Sequence, residues 1–172
     1  MLENLEKEKT MTLNKDIVTK YFELKGYSVS TNLDGVDLVI FNPTTKDKAI
    51  VEVKGWHAET FSLSYFCPKS KIFNFIKPDI LKRVNDFLGT ENFRKILVIS
   101  KLSKKQRDRC ISLVKRMGVD EIIEFRDILD FLIKHIDEGF NYSDSVMQMI
   151  RIFKIYYLGE NSIQRRINEF TE

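Results

Sequence analysis

Cysteine is scarce in this chain, and its scarcity excludes several classes of protein. Cys67 and Cys110 are the two present in 172 residues, and they lie far apart with no CxxC and no Cys/His ligand spacing. A disulfide framework, a zinc site and an iron–sulfur centre are thereby set aside, and both read as free, reduced thiols. Long apolar runs are missing too: none approaches the roughly 20 residues that a bilayer span requires. The N-terminal MLENLEKEKTM is charged with both signs and lacks the apolar segment and small-residue cleavage site of a leader, so a cytoplasmic, membrane-free protein is expected. No internal repeat and no low-complexity tract occurs.

What is present is the composition of a soluble globular protein, 43% hydrophobic and 31% charged, with enough chain to bury a core in one domain. The net charge of +3 is too small to specify a partner. Its distribution says more. Lys69, Lys71, Lys77, Lys82 and Arg83 form one basic stretch, and Lys101, Lys104, Lys105, Arg107, Arg109, Lys115 and Arg116 another. Such clusters suit a polyphosphate ligand, because neutralising phosphates releases counterions. They are equally consistent with solvated helix faces.

Hydrophobic spacing predicts a helix from Thr12 to Lys25, carried by Leu13, Ile17, Val18, Tyr21, Phe22 and Leu24 and stopped by Gly26. Residues 1–11 are read as a charged tail. Strands are expected at Tyr27–Asn32, Asp37–Phe41 and Ala49–Trp56, with turns at Asp34-Gly35 and Pro43–Asp47. From His57 to Phe75 the pattern is hard to read. Pro78 opens a helix that ends at Gly89, KILVIS (Lys95–Ser100) reads as a buried central strand, and Ser103 with Gln106 makes a capping box for a helix running to Gly118. Lys104, Lys105 and Arg107 crowd that helix's start, where cations oppose its dipole and so hint at a use beyond stability. A strand at Glu121–Phe125 and a helix at Arg126–His135 complete the expected order, helix, three strands, then alternating helix and strand. The fold class is therefore α/β, a mixed sheet flanked by helices. A final helix, Ser143–Leu158, is apolar around nearly its whole circumference, as expected of a segment that docks on the domain or pairs subunits.

The chemistry-bearing stretch is GVDLVIFNPTTKDKAIVEVKG. Asp37 opens one strand, while Glu52 and Lys54 stand one residue apart in the next and so share a face. Two carboxylates and a lysine on paired strands can hold a divalent metal and a water against a phosphate. The alternative reading is an ordinary half-exposed strand, whose Glu and Lys keep an edge soluble while a cross-strand Asp pairs with the Lys. His57 reads as a polar surface group and Trp56 as core or a packing lid.

The order of elements, with VDLVIF, VEVK and the downstream ILVISKLSKKQRDRCISLVKRMGVDEIIEFRDILDFL, resembles the PD-(D/E)xK nuclease superfamily, the restriction-endonuclease-like fold. The nearest flavours are the archaeal Holliday-junction resolvases and the Mrr-type restriction domains. The likeness covers roughly residues 12–135 and departs at Gly35-Val36, where the motif's name expects a proline before the aspartate. The resemblance implies a nuclease-like domain at 12–138 and a C-terminal helical extension at 139–172. It implies Asp37, Glu52 and the Val53 carbonyl as ligands of Mg²⁺ or Mn²⁺, Lys54 as the group that orients the water or balances charge, and an acid from the first helix. Asp16 is expected in that last role in preference to Glu23. DNA would be gripped through Lys69, Lys71, Lys82, Arg83, Lys104, Lys105 and Arg107. The iron–sulfur cysteines of some relatives and the Gln/Tyr pair of the recombination-type branch are absent, as is any helix-turn-helix or zinc finger for reading bases. The expectation is a homodimeric, structure-selective endodeoxyribonuclease. The alternatives are a catalytically silent DNA-holding subunit and a protein–protein adaptor built on the final helix.

Overall fold

The computed structural model describes residues 2–31, 33–54, 71–137 and 139–155, with side chains of the first helix from Leu13 onward. Cys67, Lys69, Trp56, His57 and residues 156–172 lie outside the described residues. The elements run α1 (Leu2–Leu24), β1 (Ser28–Ser30), β2 (Leu38–Phe41), β3 (Lys48–Val53), a 3-10 turn (Lys71–Ile76), α2 (Pro78–Leu88), β4 (Arg94–Ile99), a second 3-10 turn (Lys104–Gln106), α3 (Arg107–Arg116), β5 (Glu121–Glu124), α4 (Phe125–His135) and α5 (Ser145–Phe153).

The five strands form one mixed sheet in the order β1-β2-β3-β4-β5. β1, β2 and β3 make an antiparallel meander, and β3, β4 and β5 pair in parallel. One face buries Val39, Ile50, Leu97 and Ile99 under Ile72, Phe73 and Phe75 of the first 3-10 turn, Ile80 and Val84 of α2, and Cys110 and Val114 of α3. Strand alternation sends Leu38, Ile40, Val51, Ile96 and Val98 to the other face, all buried. α1 lies against β1 and β2 and buries Ile17, Val18, Tyr21 and Phe22.

The hairpin between β2 and β3 is closed by Asn42, whose Oδ1 accepts from the amides of Thr44 and Thr45 at 2.9 and 3.0 Å, while its own amide donates to Asp47 O at 2.8 Å. That turn sets the register Leu38↔Val51 and Ile40↔Ala49. At the far end of the sheet, Arg94 donates to Asp47 Oδ2 at 2.5 Å, Glu121 Oε2 at 2.5 Å and the Tyr27 hydroxyl at 3.2 Å. Tyr27 in turn donates to Asp47 at 2.6 Å. Arg94's hydrogen bond, working against partial burial, leaves the Asp47 carboxyl below its usual pKa.

Several expected boundaries move. α1 begins at Leu2, so the helix extends through most of the stretch expected as a charged tail; the charged pattern there carried no helix-breaking Gly or Pro. Ser103 makes no side-chain cap; the Gln106 amide instead bonds the Ser103 carbonyl at 3.0 Å, and Lys104 and Lys105 sit in a 3-10 turn ahead of α3. They therefore do not crowd that helix's first turn, which carries Asp108 beside Arg107. The chain divides into two compact units, Met1–Ile128 and Leu129–Glu172, the division falling inside α4. The α4 sequence gives no sign of it, since the first glycine after Gly118 is Gly139. In the second unit α5 (Ser145–Phe153) starts later than the expected Ser143, capped by Asp144 accepting from Met147 N at 3.0 Å, and the expected helix's last residues, 156–158, lie outside the described residues. α5 buries Val146, Met147 and Ile150 and exposes Met149 and Ile152. Among the described residues no helix is long and apolar enough to cross a membrane.

Candidate active site

Asp37 immediately precedes β2, and continuing the register by one residue sets it opposite Glu52. The ladder ends here. Instead of a backbone partner, the Val53 amide donates to Asp37 Oδ2 at 2.8 Å. A strand residue's N–H and C=O point to the same side, so the Val53 carbonyl shares that edge with the Asp37 carboxylate. Lys54 follows the strand, its amide donating to Val98 O at 2.8 Å and its ammonium 2.7 Å from Glu52 Oε1. The three residues of the motif are thus brought together by strand pairing alone.

α1 contributes a residue of the opposite charge to the one expected. Lys15 Nζ lies 2.6 Å from Asp37 Oδ1. Asp16 and Glu23 are exposed, and the pocket at this edge draws Lys15 from the helix, not Asp16. At about 100° per residue, a stripe centred on Ile17, Val18, Tyr21 and Phe22 leaves Asp16 and Glu23 on the opposite side and Lys15 at its margin. Asp16 is accordingly removed from the candidate site. The helical wheel would have identified Lys15.

The pocket has a volume of about 430 Å³ and is lined by Lys15, Thr31, Leu33, Asp34, Gly35, Val36, Asp37, Glu52 and Asn74. Thr31 and Asn74 had no signal in the sequence and Asp34 declared itself only as a turn residue; they are placed by the β1–β2 connection and the first 3-10 turn. Gly35 is held at φ +98°, and a Cβ there would stand 2.3 Å from Ile80 Cδ1. Glycine thus serves both the left-handed turn and the close approach of this loop to α2.

Glu52 is 5% exposed. Burial, and secondly the neighbouring Asp37 charge, push its carboxyl up to about 7, although Lys54 and Lys15 pull the other way. Burial also works against the Lys54 ammonium, but Glu52 and Asp37 more than offset it and hold its pKa above that of a free lysine. Two carboxyl groups and two ammoniums form a tetrad whose charges balance once Glu52 is ionised, and each lysine side chain is about one third exposed.

The donors fit a hard divalent ion. Asp37, Glu52 and the Val53 carbonyl offer oxygen alone, and Glu52's burial beside a second carboxylate is relieved by a cation. Among the described residues no group of three or more His, Cys, Asp or Glu gathers in one place, so water would complete the shell, as Mg²⁺ tolerates.

The basic residues separate by position. A helix joining adjacent parallel strands must return to the starting edge of the sheet. Lys101, Lys104 and Lys105 therefore follow β4 at the edge that carries Glu52 and Lys54, whereas Lys115 and Arg116, at the end of α3, belong to the opposite edge. Lys101, Lys104 and Lys105 are exposed. Arg107 is paired with the buried Glu124 at the end of β5, and Arg83 with Asp79 at 3.8 Å. Lys71 and Lys82 are exposed on the 3-10 turn and α2. The chain matches no family model, no curated protein and no solved structure.

Proposed function

We propose that this chain is a metal-dependent endodeoxyribonuclease with a restriction-endonuclease-like fold, selective for DNA structure over sequence. The observation that carries the reading is Asp37 standing opposite Glu52 on antiparallel strands, with Lys54 against Glu52 at the same sheet edge. Asp37, Glu52 and the Val53 carbonyl would hold Mg²⁺ or Mn²⁺. When bound, the ion supplies charge stabilisation to the phosphodiester and acidifies the attacking water. Lys54 orients that water or balances charge growing on the phosphate. Lys104 and Lys105, exposed in the 3-10 turn that follows β4, grip the backbone by charge, which positions a duplex without reading it. Pairing of two chains through the C-terminal extension would place two such sites on one DNA.

A second reading is favoured by the Lys15–Asp37 pair: a nuclease fold that holds DNA without cutting it, its acids neutralised from within. Labelled linear duplex and four-way-junction DNA, incubated with the full chain in Mg²⁺ or Mn²⁺, separate the two. Cleavage lost in EDTA and in Lys54→Ala is expected, with retention weakened in a Lys104→Ala/Lys105→Ala variant. Salt-sensitive binding without cleavage in either metal would select the holding module. Neither binding nor cleavage would reject both.

A further inference from the structure

Both oxygens of Asp37 are engaged by the protein itself. Oδ2 accepts from the Val53 amide at 2.8 Å, a bond fixed by the strand end, and Oδ1 faces the Lys15 ammonium at 2.6 Å. The two partners differ in kind. The amide is backbone and cannot leave, whereas Lys15 reaches in on a flexible stem from α1 with its side chain 33% exposed, so water is available to it if it swings out. Lys54 stands on the Glu52 side and is anchored next to the β3 end by its own amide bond to Val98. Lys15 is thus the displaceable member of the tetrad.

We infer that Lys15 is a built-in competitor for the divalent ion, occupying with its ammonium the position on Asp37 that the ion must take. This rests on the nuclease reading of the site. Loading the ion then requires expelling Lys15 and tolerating its positive charge a short distance away, so the site binds divalent ions weakly in the absence of anything that draws Lys15 off. An incoming phosphate is the group suited to do so, since it offers the ammonium an anionic partner at the same pocket mouth.

The test is Mn²⁺ binding to the full chain without DNA, followed by calorimetry and by loss of the free-ion electron paramagnetic signal. Lys15→Met keeps the stem and removes the charge, and Lys15→Glu adds a ligand. Lys20→Met is the control, because Lys20 pairs with Glu23 on another side of α1 at 2.6 Å. Removing one unit charge beside the ion is worth on the order of tenfold in affinity. Lys15→Met should therefore bind Mn²⁺ about tenfold tighter than wild type or better, Lys15→Glu at least as tightly, and a second change, Asp37→Asn, should abolish the gain. Lys20→Met should match wild type. Asp37-dependent binding of equal strength in wild type and Lys15→Met would overturn the competitor role and leave the nuclease reading standing. A gain shared by Lys20→Met would overturn it as general electrostatics. Absence of Asp37-dependent binding in all of them would overturn both readings together.

Discussion

Replacing Glu52 with glutamine should stabilise this protein at alkaline pH and do little at acid pH. The carboxyl is 5% exposed and its pKa rises from the ordinary 4.5 to about 7, through burial first and Asp37 second. An acid whose pKa is raised on folding binds more protons in the native state between those two values, so stability falls as pH climbs from about 4.5 to 7 and stays depressed above. At 1.36 kcal/mol per unit, the full effect at pH 8 is on the order of 3 kcal/mol. Glutamine has the same shape and no charge to desolvate. Lys54, left without its partner, can hydrate through its exposed third. Urea denaturation in EDTA at pH 5 and pH 8 reads this directly: Glu52→Gln should match wild type within about 1 kcal/mol at pH 5 and exceed it by roughly 1–3 kcal/mol at pH 8, worth several degrees in Tm. A variant less stable than wild type at both pH values, with an unchanged pH slope, would refute the view that this carboxylate is held at a cost.

Two further outcomes concern the frame around the site. Gly35→Ala should cost roughly 2 kcal/mol or more in thermal or urea denaturation, because it meets both a left-handed backbone and the buried Ile80; no loss would mean the loop does not need this conformation. Arg94→Lys should cost about 1–2 kcal/mol near neutrality, since an ammonium cannot serve Asp47, Glu121 and Tyr27 together. The Asp47 part, whose carboxyl sits below its usual pKa, should be present above about pH 4 and fade as pH falls below it, so the two proteins should converge in acid.

Much of the fold was legible because its signals are local. The run Pro78–Leu88 closed by Gly89, the apolar KILVIS and the alternation around Glu52 each declare themselves within a dozen residues, and α2, β4 and β3 lie where those patterns place them. The meeting of Asp37 and Glu52 needed one long-range step, the hairpin, which the turn residues announced. What stayed hidden depends on partners distant in sequence or on helical phase. Arg94's network joins Tyr27, Asp47 and Glu121, none of which forms a motif. Asp16 was favoured by charge type and lost on phase, one residue from the lysine that does face the site. Ser103 matched a capping pattern, but the chain took a 3-10 turn and satisfied the amide with backbone.

The Asn42 turn acts as a ruler for the chemistry at the other end of its hairpin. Five residue steps of extended chain, roughly 17 Å, separate it from Asp37, yet it helps decide which β3 residue Asp37 confronts. A shift of one place would set that carboxylate against Val51 or Val53 and hand its partner's place to a methyl group. Insertions and deletions in this exposed turn, ordinarily the most forgiving kind of change, are therefore as consequential here as substitution of an acid.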